Sequence, residues 1–196
     1  DHLERLFLSP AHRKAADAVA TMMREAGFDS VHIDALGTVV GRYEAKTQGR
    51  LTLLIGSHID TVKDAGSYDG MLGVIAGIGV VEALHDAGER LDFAIEVLAL
   101  IAFGGNPDGI AALARKTDDV IGYVEMHIEQ GPVLDQENRP VGIVTAISGA
   151  SRRRIIVTGE AGHAGTVPMA LRKDALAAAA EMALAVEKLG ANAENG

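Results

Sequence analysis

The chain has 196 residues, long enough for one domain or one domain plus part of another, with 48% hydrophobic residues, 4% aromatics and 23 glycines. Its formal net charge of −9 argues against a nucleic-acid surface, which needs clustered Lys and Arg. It contains no cysteine, so disulfides and thiolate metal sites are excluded and any metal falls to His, Asp and Glu.

Ser9-Pro10 predicts a helix start, with Ser9 as N-cap and Pro10 at the first helical position. Ala15, Val19, Met22 and Met23 follow at helical spacing, and Gly27 ends the helix. Short strands are expected over 31–34 and 39–43, around a turn at Gly37, and a buried apolar strand over 51–57. A glycine-rich helix over 70–85 is expected to pack closely on a sheet, and a long apolar strand follows over 93–103. A third strand is expected over 123–130, ended by Gly131-Pro132. Consecutive strands are expected over 141–148 and 153–159, then an Ala-rich amphipathic helix over 172–189. Strands alternating with helices predict an α/β fold, a mixed and mainly parallel sheet flanked by helices. The domain boundary is expected near Gly149, giving 1–148 and 149–196. The N-terminal residues have no charged-then-apolar signal pattern. The longest apolar run, 72–84, is interrupted by Gly73, Gly77, Gly79 and Glu82 and is too short to span a bilayer. A soluble, cytoplasmic protein with no membrane partner is the expectation.

Three polar groups interrupt this apolar pattern. The first is His58, Asp60 and Asp69, within Gly56-Ser57-His58-Ile59-Asp60-Thr61-Val62 and Tyr68-Asp69-Gly70. Strand side chains alternate, so His58 and Asp60 point to one side while Ile59 points into the core. Asp69 stands just before a helix, where the dipole favours a carboxylate. The set suits a divalent metal; it equally suits a hydrogen-bonded imidazole beside an N-cap. The second group is Glu125, His127 and Glu129, expected on one face of a strand and read either as supplying a further metal ligand, His127, or as the wet face of an edge strand. Both groups end apolar strands, the edge where open α/β sheets place their sites. The third is His163, within Gly159-Glu160-Ala161-Gly162-His163-Ala164-Gly165-Thr166. It reads as a donor to a substrate oxygen or as an exposed His on a glycine-rich hairpin. Arg152-Arg153-Arg154, the only dense basic run, reads as a solvated face, with no nucleic-acid partner.

These motifs, together with His127-Ile128-Glu129-Gln130-Gly131-Pro132, occur in this order in a known group. The chain resembles the hydantoinase/carbamoylase-type amidases of the M20 metallopeptidase-like superfamily, over essentially its whole length. The group includes allantoate amidohydrolases, N-carbamoyl-L-amino-acid hydrolases and β-ureidopropionases. The resemblance implies a zinc-peptidase-like catalytic domain followed by the start of a smaller α+β lid and dimerisation domain. It implies two divalent ions (Zn or Mn, with Co or Ni also suited), His58 and His127 on one of them, and Asp69 bridging both. Asp60 would orient His58. Gln130 and His163 would touch a small ureido or carbamoyl substrate, with His163 acting on the oxyanion from the lid. A homodimer through the lid is implied, as is hydrolysis of a linear ureido or carbamoyl C–N bond. Allantoate is the first substrate expected and an N-carbamoyl-L-amino acid the second.

The sequence departs from the group in two places. Where relatives carry a Glu-Glu-Gly segment, supplying the general base and a further ligand, Phe103 runs into Gly104-Gly105-Asn106-Pro107-Asp108-Gly109, and no Glu is present. Relatives carry several dozen additional residues here, and they continue past the position of Gly196 to a last metal-binding His. Two explanations stand: these residues belong to a longer polypeptide, which is the expectation, or the chain is a shortened, inactive form. The competing function is a non-catalytic metal-binding or assembly module that has lost its base.

Overall fold

The computed structural model describes residues 3–100, 107–147 and 149–192. They form two compact units that divide between Val141 and Gly142, upstream of the boundary expected near Gly149.

In the first unit, α1 (Pro10–Glu25) starts as the sequence predicts. Ser9 Oγ accepts the His12 N–H at 3.2 Å, and Pro10 occupies the first turn, where a missing N–H costs nothing. Ala16, Val19, Ala20 and Met23 form its buried stripe. Strands β1 (Ser30–Ile33), β2 (Val39–Tyr43) and β3 (Thr52–His58) follow. Helix α2 (Met71–Asp86), strand β4 (Ala94–Leu100) and strand β5 (Val120–Val124) complete the frame. The expected continuation of β4 through Phe103, and Gly104-Gly105-Asn106 after it, lie outside the described residues. A 3-10 segment, Pro107–Leu113, leads toward β5.

The five strands form one mixed sheet in the order β1-β2-β4-β3-β5. β1–β2 and β2–β4 are antiparallel, and β3 runs parallel to both β4 and β5. Register decides which face is apolar. Val39, Gly41 and Tyr43 pair with Ala99, Val97 and Ile95, so with period-two alternation these residues share one face. That face carries the core: Met23 and Phe28 lie against Gly41, and α2 lies on Ile55 and Val97 through Gly77. The other face carries the cross-strand pair Arg42–Glu96, with Arg42 Nη1 2.9 Å and Arg115 Nη2 2.6 Å from the Glu96 carboxylate. Helix packing on the parallel strands leaves the C-terminal ends of β3 and β5 side by side, and the polar residues gather there.

The second unit holds α4 (Ala175–Ala191), which follows the one-turn helix α3 (Val133–Gln136) of the first unit in chain order. Asp174 caps α4 by accepting from the N–H groups of Leu176 and Ala177 at 2.9 and 3.2 Å. The strands expected over 141–148 and 153–159 are not formed by the described residues of those spans. A strand exists through its ladder, and neither segment has a hydrogen-bonded neighbour among the described residues. Most of their apolar side chains are exposed, Ile143 at 93% and Ile147 at 92%.

Candidate metal centre

β3 delivers His58 as its last residue, between Ser57 and Ile59, neither of which has exposed surface. The chain then passes through Asp60 and Thr61, a stretch tied down by the N-terminal segment. Arg5 N–H donates to Thr61 Oγ1 at 2.7 Å, Arg5 Nε to the Ile59 carbonyl at 3.1 Å, and Thr61 N–H to the Arg5 carbonyl at 2.9 Å. Asp69, only 7% exposed, enters α2 through Gly70. Gly70 has φ +74°, and a Cβ there would stand 2.5 Å from the His58 ring, so only glycine lets the helix start against the imidazole. A Cβ on Gly73 would stand 2.5 Å from the Met126 carbonyl and 2.8 Å from Ser57 Cβ. The first turn of α2 is therefore pressed against both segments that carry a histidine.

His58 Nε2 and His127 Nε2 lie 3.2 Å apart. Asp69 Oδ1 is 3.8 Å from the first and 3.6 Å from the second. The ligand atoms of the three residues all lie within 4.8 Å of one another. The far nitrogens each face a carbonyl oxygen. His58 Nδ1 is 3.0 Å from the Asp60 carbonyl and 3.3 Å from its Oδ1. His127 Nδ1 is 2.8 Å from the Ile128 carbonyl. Those oxygens accept only, so a ring bonded to them carries a hydrogen on Nδ1 and leaves Nε2 free to act as a ligand lone pair. Two imidazole nitrogens and a carboxylate oxygen thus converge on one point, with Gln130 the neighbouring donor to that oxygen. A divalent ion with N and O ligands fits this donor set, and the Asp60 contact is the outer partner that such a ligating histidine takes.

The strand expected over 123–130 stops at Val124, where the β3 ladder ends at Ile55↔Val124. Glu125, His127 and Glu129 are therefore not one strand face. Their side chains find partners that extended pairing does not offer. Glu125 Oε1 accepts from Ser57 Oγ at 2.7 Å, and its Oε2 accepts from Tyr123 Oη at 3.2 Å. Burial first, then the Glu125 charge and hydrogen bond, push the Tyr123 phenol up to about 12. Glu129 accepts from the N–H groups of Val133 and Leu134, both at 3.0 Å, and so caps α3. Gln130, at φ +55°, donates its amide to Asp69 Oδ1 at 3.0 Å. His163 lies in the second unit, exposed, with Gly165 N–H donating to its Nδ1 at 3.0 Å. The convergent group thus comprises His58, Asp69 and His127, with Asp60 and Gln130 touching it. Sequence reasoning missed the Ser57–Glu125 bond. Its one signal was a buried serine directly before a candidate ligand.

No family model matches the chain. It is 38% identical over 236 residues to an N-carbamoyl-L-amino-acid amidohydrolase from Pseudomonas sp. (strain NS671), covering 98% of this chain and 57% of that protein. It is 37% identical over 233 residues to allantoate deiminase 1 from Glycine max, covering 96% of this chain and 48% of that protein. A hydantoinase/carbamoylase family amidase from Burkholderia ambifaria matches with a TM-score of 0.70 at 31% identity, covering 95% of this chain and 54% of that one. The chain spans about half the length of the curated relatives it matches. Both alignments are longer than its 196 residues, so the relatives carry additional residues inside the matched span.

Proposed function

Over its own length this chain belongs with the hydantoinase/carbamoylase family of amidases, and from that premise we propose that it carries the metal-binding part of an amidohydrolase cleaving a linear ureido or carbamoyl C–N bond. The observation that carries the proposal is the convergence of His58 Nε2, His127 Nε2 and Asp69 Oδ1. Those residues would hold a divalent cation, Zn or Mn first and Co or Ni next, with Asp69 positioned to share a second. Such an ion supplies Lewis-acid polarisation of the scissile carbonyl and makes water a stronger acid.

The chain's own residues do the positioning. Asp60 holds the His58 ring through Nδ1, and Gln130 steadies Asp69 through its amide. Gln130 and His163 are the substrate-contacting side chains of this proposal, with His163 donating to the carbonyl oxygen as charge develops there. A single donor of that kind contributes roughly 3 kcal/mol to transition-state stabilisation. Proton transfer to the leaving nitrogen needs a positioned acid–base group, and the glutamate that the resemblance implies directly after Phe103 is not in this sequence. The longer aligned span of the relatives supports an internal segment, which this proposal sets after Phe103. Homodimer formation through the unit bearing His163 is part of the same proposal, supported by its exposed Ile143, Ile147 and Ile156.

The test combines metal analysis with ammonia release from allantoate and from N-carbamoyl-L-amino acids. The 196-residue chain is expected to bind the ion and to release no ammonia. A chain lengthened to the relatives' span, with an internal segment after Phe103, is expected to do both, with allantoate preferred. A lengthened protein that holds metal but hydrolyses neither substrate would favour the second reading, a non-catalytic metal-binding module, for which the missing glutamates speak. A His58→Ala variant with full metal content would refute the ligand set.

A further inference from the structure

We infer that Glu125, acting through Ser57, is the positioning residue that sets the separation of the two imidazoles. The inference rests on the metal reading above and concerns the chain's own residues around that centre. Ser57 directly precedes His58, and Glu125 lies two residues before His127. Backbone pairing between β3 and β5 ends at Ile55↔Val124, three residues before His58 and three before His127. From there the link passes to side chains. Ser57 Oγ donates to Glu125 Oε1 at 2.7 Å across a sequence separation of 68 residues, and Tyr123 Oη fixes the other oxygen at 3.2 Å.

Three features make this bond a spacer rather than an incidental contact. Ser57 is fully buried, and a buried hydroxyl that loses its partner is costly, so the bond is strongly favoured. The acceptor is a carboxylate, which shortens and strengthens the bond. Glu125 also stands outside the convergent group of His58, Asp69 and His127: it faces the neighbouring segment, with each oxygen bonded. The close seat of Gly73 against both Ser57 Cβ and the Met126 carbonyl closes the same joint from the helix side. Together these hold the His58 and His127 nitrogens at 3.2 Å.

The test is titration of the metal-free protein with Zn²⁺, and with Co²⁺ for its visible spectrum, in wild type, Glu125→Ala, Glu125→Gln, Ser57→Ala and the Ser57→Ala/Glu125→Ala double variant. Glu125→Ala and Ser57→Ala are each expected to weaken metal binding about 10- to 100-fold, as loss of an outer positioning partner does, and to alter the Co²⁺ spectrum. The double variant is expected to be no worse than either single one, because both remove the same bond. Glu125→Gln keeps an acceptor for Ser57 and is expected to bind within a few-fold of wild type with the wild-type spectrum. Equal loss in Glu125→Gln and Glu125→Ala would mean that Glu125 acts through its charge, and would overturn the inference. Unchanged affinity and spectrum in Glu125→Ala, with wild type binding tightly, would overturn it alone. A wild type that binds no ion would overturn the metal reading and the inference together. Glu125 is exposed, so its variants are expected to fold; should Glu125→Ala not fold, the Ser57→Ala and Glu125→Gln pair decides.

Discussion

Gly70 is the residue on which the geometry of the centre turns. Its φ of +74° disfavours any side chain, and the space a Cβ would take is filled by the His58 ring at 2.5 Å. Gly70→Ala therefore meets two penalties at one position. Backbone strain of this kind costs about 1–3 kcal/mol, and the ring must rotate or shift. The expected outcome is a lower unfolding midpoint together with weakened binding of Zn²⁺, measured by calorimetry on the same preparation. Loss of stability with metal affinity intact would show that the ring has room to move. Several single residues were legible in the sequence for a physical reason. Polar side chains beside apolar segments demand partners, and the ligand atoms of His58, Asp69 and His127 lie within 4.8 Å of one another. Glu129 was not legible in this way, because the capping of a one-turn helix at Val133 has no periodic signature four residues ahead of it.

At the scale of elements, α1 contributes a titratable group to the core. His12 has no exposed surface, and Leu8 N–H donates to its Nδ1 at 3.3 Å. Burial holds its pKa below the ordinary 6.5, against the pull of Asp60 and with the push of Arg5. The unfolded chain takes up that proton more readily than the folded one. The contribution of His12 to stability is therefore complete above pH 6.5 and is lost as pH falls through the lower folded-state value. Urea unfolding at a series of pH values is expected to give a stability that declines below pH about 6.5. His12→Asn is expected to flatten that decline. An identical slope in the variant would assign the acid sensitivity elsewhere. The helices and inner strands were the readable elements: α1 announced itself through Ser9 and Pro10, and β3 through the apolar run before His58. The segment after Val124 was misread as strand, since alternation of Glu125, His127 and Glu129 with Met126 and Ile128 mimics a pleat. Side-chain bonds to Ser57 and to the α3 amides, invisible in a linear pattern, take the backbone elsewhere.

For the whole molecule, the order β1-β2-β4-β3-β5 was not readable, because it depends on which strands cross over and which pair in hairpins. The strands expected over 141–148 and 153–159 failed for a related reason: a β pattern states a preference, and a ladder needs a neighbour. The sheet order has a consequence for how the protein comes apart. Among the described residues β5 has one hydrogen-bonded neighbour, β3, and stands at the end of the strand order, with Ile121 and Val124 half exposed. β4 lies inside, paired on both flanks. β3, which ends in His58, is likewise paired on both flanks, whereas His127 follows the marginal strand β5 by three residues. Hydrogen exchange is expected to run faster in 120–127 than in 94–100. Zn²⁺ is expected to slow the first stretch while leaving the second unchanged, and equal protection of both stretches with and without Zn²⁺ would argue against this picture. An ion held between His58 and His127 would do for the rim what a second adjoining strand does for an interior one. Chelation should therefore let that margin fray while the centre of the sheet stays closed.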